Sequence, residues 1–128
     1  MKENKYQFKK GDFVICKPPE EKRCEGNKDF EIYAYVVEVD RKNDILRLER
    51  YLKQGKLHME QSPKFHLAEM EKDGFYQPMN YDEIKEFYDG VASLLASAKF
   101  QNNLYTNDVR WTFEALEAAV EDICRKTI

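Results

Sequence analysis

The chain has 128 residues, of which 35% are charged, 42% hydrophobic and 13% aromatic, and its net charge is −3. That length supports one domain with its own core, and so aromatic a composition excludes a disordered chain. The apolar runs reach only a few residues, which excludes a transmembrane helix, and the polar residues 1–12 lack the apolar stretch of a signal peptide.

Gly11-Asp12-Phe13-Val14-Ile15-Cys16 reads as a first strand, opened by the turn KKGD. Pro18-Pro19 ends it, because proline has no N–H to give a ladder. Residues 20–29 (EEKRCEGNKD) form a long polar loop. The strongest β signal follows in residues 30–40 (FEIYAYVVEVD) and their return 45–52 (ILRLERYL). Phe30, Ile32, Ala34 and Val36 alternate with Glu31, Tyr33 and Tyr35, the period of a strand with one buried face. The phase slips at Val36-Val37, and a β-bulge supplies the extra residue. Pairing across the polar turn Arg41-Lys42-Asn43-Asp44 sets Val39 opposite Leu46 and Val37 opposite Leu48. Beyond the bulge, Tyr35 faces Glu49, Ala34 faces Arg50 and Tyr33 faces Tyr51, so the outer face carries Tyr33, Tyr35, Tyr51, Arg47, Glu38 and Glu49. After the turn Lys53-Gln54-Gly55, residues 56–61 make a fourth strand. Ser62-Pro63 turns the chain into a fifth strand, from Phe65 to about Met70. A turn centred on Ser62 places His58 opposite His66 as an outward cross-strand pair that titrates in two coupled steps.

Lys10-Gly11-Asp12-Phe13-Val14, the bent strand over 30–40 and three further strands resemble the SH3-like barrels, the group that includes Tudor and KOW modules. The resemblance spans about residues 8–70. It implies a five-stranded antiparallel β-barrel that binds peptide or nucleic acid, and it implies no catalytic activity.

Asp73-Gly74 and Gln77-Pro78 mark a linker. Asn80 then caps a helix with Glu83 at the capping-box position, and Ile84, Phe87, Tyr88, Val91, Leu94, Leu95 and Ala98 make its apolar stripe. Gly90 interrupts that helix at a cost of about 1 kcal/mol against alanine, which points to close packing. Residues 101–105 form a polar turn. Thr106 or Asn107 caps a second helix, where Asp108 suits the positive end and Val109, Phe113, Leu116, Val120 and Ile123 form the stripe. The expected fold is α+β: a five-stranded SH3-like barrel over 1–78, followed by an antiparallel two-helix hairpin over 79–128 packed on it as one unit.

Charge is uneven. Residues 1–78 hold 16 lysines and arginines against 15 acids, or +1, and residues 79–128 hold 5 against 9, or −4. The acidic half opposes wrapping by nucleic acid but leaves room for a local basic patch. No GxGxxG, P-loop, HExxH or GxSxG is present, and no apolar context raises a carboxylate pKa, so no catalytic residues are assigned. Cys16, Cys24, His58 and His66 could be written as a zinc set, but C-x7-C and H-x7-H are not knuckle spacings, so neither a metal nor another cofactor is expected. Three cysteines at spacings of 8 and 100 make no disulfide framework and fit a reducing cytoplasm.

Tyr33, Tyr35, Tyr51 and Arg47 form the first candidate surface, since aromatics beside an arginine stack on bases or clamp a peptide. The same tyrosines also suit a face covered by the helices. Trp111 lies off its helix stripe beside Ala115 and Ala118, which suits either a partner or homodimer face or a helix buried on two sides. Glu114, Glu117, Glu121 and Asp122 read as a solvated face, with mimicry of nucleic acid as the sharper alternative. The expected function is non-catalytic protein binding, as an adaptor, accessory or inhibitor protein, which a phage or mobile element could encode. The rivals are a nucleic-acid module using Arg41, Lys42, Lys53 and Lys56 with the tyrosine face, and an enzyme of unrecognised type. No membrane partner is expected.

Overall fold

The computed structural model describes residues 6–16, 31–59, 64–97 and 106–126. The expectations for Pro18-Pro19, the loop over 20–29 with Cys24, the turn at Ser62-Pro63 and the turn over 101–105 lie outside them. The elements in order are β1 (Phe13–Cys16), β2 (Ile32–Asp40), β3 (Ile45–Leu52), a 3-10 turn (Lys53–Gly55), β4 (Leu57–His58), β5 (Lys64–His66), α1 (Leu67–Asp73), β6 (Tyr76–Pro78), α2 (Tyr81–Ala96) and α3 (Thr106–Lys126). The fold is α+β. Its antiparallel sheet runs β4-β3-β2-β1-β6, with β5 also on β3. Among the described residues the sheet is open, and the expected closure into a barrel is not seen.

The hairpin β2–β3 follows the alternation in its sequence. Tyr33 pairs with Tyr51, Ala34 with Arg50, Tyr35 with Glu49 and Val39 with Leu46, and the register shifts between Val36 and Glu38. The bulge is therefore where the phase slip put it, but Leu48 pairs with Val36, and Val37 is the extra residue. Either valine satisfies the apolar pattern, so the pattern alone does not choose between them.

The alternation gives the sheet two buried faces. Val14, Cys16, Ile32, Ala34, Val36, Leu46 and Leu48 point to one side and bury Phe8, Leu67 of α1 and Tyr76 of β6. Ile15, Tyr33 and Tyr51 point to the other side and pack on Phe87 and Val91 of α2 and Val109 and Leu116 of α3. A sheet apolar on both faces needs a cover on each, and the C-terminal helices supply the second.

The strands after β3 depart from the expected hairpin. Tyr51 pairs with His58 and Ile45 with His66, so β4 and β5 both lie along the free edge of β3 instead of facing each other. His58 and His66 are accordingly not a cross-strand pair. His58 is buried, whereas His66 is exposed with its Nδ1 3.4 Å from an Asp44 carboxylate oxygen. Leu57, in the strand expected over 56–61, is 46% exposed. The fifth strand stops at His66 because Asp44 intervenes. Its carboxylate accepts the Ala68 N–H at 2.8 Å and serves the first turn of α1 as a borrowed cap. Gly74, in the left-handed region at φ 71°, closes α1. Residues 76–78, read as linker, form the edge strand β6, where Pro78 is tolerated because no further strand needs its missing N–H.

Asn80 caps α2 through the expected capping box, its side chain accepting from Glu83 N–H at 2.8 Å while Glu83 accepts from Asn80 N–H at 3.0 Å. Tyr81 of α2 meets Cys124 of α3, and the rings of Tyr88 and Phe113 stack with centroids 5.1 Å apart, so the two helices run antiparallel. Gly90 sits where the 3-10 turn touches α2: a Cβ there would lie 2.0 Å from the Gln54 carbonyl oxygen. No helix among the described residues is long and apolar enough to cross a membrane.

Candidate functional site

Residues 45, 47, 49 and 51 of β3 share the face that meets the helices, but the helices cover only part of it. Tyr33 and Tyr51, candidates for an outer binding patch, are buried beneath Phe87, with ring centroids 5.6 and 5.1 Å away. The Tyr33 hydroxyl donates to Glu86 of α2 at 2.9 Å, and burial, then that carboxylate, pushes its pKa up. These two tyrosines anchor the helices and present no free surface. Farther along the hairpin the cover ends. Tyr35, Val37, Arg47 and Glu49 of the sheet, with Asp108, Trp111 and Thr112 of α3, line a groove of about 320 Å³.

The groove is built from three local features. The bulge brings Val37 into the lining beside Tyr35. The pairing Tyr35–Glu49 and Glu38–Arg47 places aromatic, acid and base side by side on one face. The first turns of α3 lie across them, held by Val109 and Leu116, while Trp111, off that stripe, stays 64% exposed at the groove. Thus Tyr35, Arg47 and Trp111 come together, and Tyr33 and Tyr51 are withdrawn from them.

Behind the lining is a buried polar cluster. His58 Nε2 lies 2.8 Å from Glu49 Oε1, with both residues buried. The Tyr51 ring packs on the imidazole with centroids 5.0 Å apart, and its buried hydroxyl lies beside Thr112. Burial raises the Tyr51 pKa above the phenol range, with Thr112 opposing and the Glu49 and Asp108 carboxylates adding to it. Asp108 is also raised, first by desolvation and then by Glu49, with His58 and Arg47 opposing. Thr112 is fully buried on the Val109–Leu116 stripe and donates to the Asp108 carbonyl at 3.1 Å. Arg47 reaches Glu38 at 3.7 Å, and its buried Nε has no hydrogen-bond partner among the described residues.

Glu49, Asp108, Thr112, Val37 and His58 complete the site, and the sequence reading named none of them as a binding residue. Glu49 was legible as the partner of Tyr35. Asp108 gave only its helix-end signal, and Thr112, three residues from Val109 and four from Leu116, was masked by its polar side chain.

The candidate nucleic-acid residues do not converge. Arg41 and Lys42 occupy the turn before β3, and Lys53 and Lys56 lie beyond its other end, a strand of eight residues or roughly 26 Å away at about 3.3 Å per residue. Arg41 is engaged internally, its guanidinium reaching both oxygens of Glu71 at 3.1 and 2.8 Å and the Phe8 carbonyl at 3.2 Å. Lys42, Lys53 and Lys56 are exposed. Among the described residues no group of three or more His, Cys, Asp or Glu is placed to hold a metal ion, and Cys16, His58 and His66 lie on separate strands.

A wider depression of about 610 Å³ lies between the N-terminal segment and the start of α2, lined by Tyr6, Lys9, Asp12, Met79 and Ile84 among others. Its carboxylate is already used, since Asp12 accepts from the Tyr6 hydroxyl and the Lys9 N–H. The chain matches no protein-family model, no curated protein and no solved structure.

Proposed function

We propose that the protein is a non-catalytic binding module that takes a protein partner at the groove between α3 and the β2–β3 hairpin. The observation that carries this reading is Trp111, a large aromatic left 64% exposed beside a groove with a second aromatic, Tyr35, and an arginine, Arg47. Trp, Tyr and Arg are the residue types that dominate binding energy at protein interfaces. The polar groups of the lining are engaged within the protein: Glu49 contacts His58, and the Thr112 hydroxyl donates to backbone. The bulged β2–β3 hairpin, flanked by β1 on one side and by β4 and β5 on the other, keeps an SH3-like origin of the sheet as part of the proposal. The nucleic-acid reading is weaker, because its cations sit at opposite ends of β3 while two carboxylates line the groove.

Affinity capture from the native host with wild type and Trp111→Ala tests the proposal, with thermal melts alongside. An exposed side chain away from special features changes stability by only about 0.5 kcal/mol, so the variant stays folded. A specific protein partner should be lost or weakened at least about 30-fold, the effect of removing a hot spot of about 2 kcal/mol. Equal capture by both forms would place the interface elsewhere. Tight, steeply salt-dependent binding to DNA or RNA would replace the proposal with its rival.

A further inference from the structure

The groove has a charge as well as a shape. Among the described residues Glu49 and Asp108 line it against Arg47, and Glu38 stands beside Arg47 at its margin, three negative groups against one positive. The sum is −2 with His58 neutral and −1 with His58 charged, so the groove is acidic in either protonation state. The one cation is directed to Glu38 at 3.7 Å, and Glu49 to His58 at 2.8 Å. Asp108 makes no ion pair with a described residue within 4 Å, although it is half-buried and lines the groove. Desolvation and the neighbouring Glu49 hold its pKa above the usual carboxylate value. A carboxylate in that position gains from an incoming cation more than an exposed one does, because less water is left to solvate it.

Aromatic surfaces complete the chemistry. Tyr35 and Trp111 both line the groove, and a cation over an aromatic face is attracted by the ring quadrupole, most strongly by tryptophan. Tyr35 is held in place by Phe13, their rings stacked with centroids 5.2 Å apart. A volume of about 320 Å³ is enough for one long side chain.

We propose that the groove receives a cationic side chain, arginine or lysine, of the protein partner, in contact with Tyr35 and Trp111 and with its charge against Asp108 and Glu49. This inference rests on the protein-binding reading above and adds the chemistry of the residue recognised. The partner segment is then locally basic. An acidic segment would bring its carboxylates against Asp108 and Glu49.

The chain has a single tryptophan, so its fluorescence reports on this groove alone. Blocked glycine–serine pentapeptides with arginine, lysine or glutamate at the centre are titrated into the intact protein. The arginine and lysine peptides should change the Trp111 emission saturably, with dissociation constants on the order of 1 mM for so small a ligand, and the glutamate peptide should not. Asp108→Asn should weaken the cationic peptides about tenfold, the loss of one charge-assisted contact. Asparagine keeps the size of the side chain, so a circular dichroism spectrum matching wild type is expected. The inference is overturned if the glutamate peptide binds as well or better, which would make Arg47 the recognising group. It is equally overturned if the cationic peptides give no response up to about 10 mM, or if Asp108→Asn leaves their affinity unchanged. The full partner separates the two levels: loss of capture in Trp111→Ala with full retention in Asp108→Asn keeps the groove as the interface and removes the cation from it.

Discussion

Glu71 and Arg41 join three separate stretches of chain. The Glu71 carboxylate accepts from the Phe8 N–H at 2.8 Å and from both terminal nitrogens of Arg41, tying the N-terminal segment and the β2–β3 turn to α1. The Arg41 guanidinium holds the Glu71 carboxyl below the usual carboxylate value. A depressed carboxylate contributes stability above its unfolded pKa and loses it as pH falls through the folded one. Glu71→Gln should therefore destabilise by about 1 kcal/mol at neutral pH, a figure reduced because Arg41 is half-exposed. The difference from wild type should shrink as pH falls below about 4.5, where the carboxylate of the unfolded chain is protonated, and vanish in stronger acid. Thermal melts of both proteins from pH 7 to pH 3 follow this; a constant difference across the range would mean that the pair acts through packing and not through charge. None of this was legible in the sequence, where Arg41 reads as a free turn cation. Nothing local connects residues 8, 41 and 71, and the pairing exists only once β2, β3 and α1 are in place.

Between elements, the contact of the 3-10 turn with α2 is closer than side chains permit. A Cβ on Gly90 would meet the Gln54 carbonyl oxygen at 2.0 Å, and one on Gly55, whose φ is +101°, would meet Phe87 at 2.9 Å. Lys53 and Gln54 adopt φ of 53° and 58° at this contact, a region that non-glycine residues visit at a cost of about 1–2 kcal/mol each. In an isolated helix Gly90→Ala would gain about 1 kcal/mol. Here it should lose a net 2 kcal/mol or so, because backbone on both sides of the contact must move. Denaturant unfolding measures this, and a stabilised variant would show that the turn and helix are not in contact. The sequence carried part of the message, since a glycine inside an apolar stripe is costly unless something packs against it. It did not name the partner. The paired histidines failed for a related reason. Two short strands separated by Ser62-Pro63 read as a hairpin, but the exposed edge of β3 offers each of them a longer partner than they offer each other.

Across the whole molecule, the sheet is sandwiched, with α1 and the N-terminal segment on one face and α2 with α3 on the other. Alternation in β2 and β3 made the two-sided sheet readable, and the stripes of α2 and α3 made the helical pair readable. Closure was not, because it depends on whether edge strands meet, and β6 and α1 are only three and seven residues long. The candidate surface was legible in halves: Tyr35, Arg47 and Trp111 were chosen from two distant stretches, and only the placement of α3 across the hairpin unites them while burying Tyr33 and Tyr51. With α2 over one end of that face, the groove beside Trp111 is left open, and the exposed acids Glu114, Glu117, Glu121 and Asp122 make the outer surface of α3 negative. Collisional quenching of the single tryptophan by acrylamide, in the free protein and then with its captured partner, tests this account most directly. The account predicts strong quenching when free and marked protection when bound. Protection already present in the free protein, or quenching unchanged by a saturating partner, would contradict it.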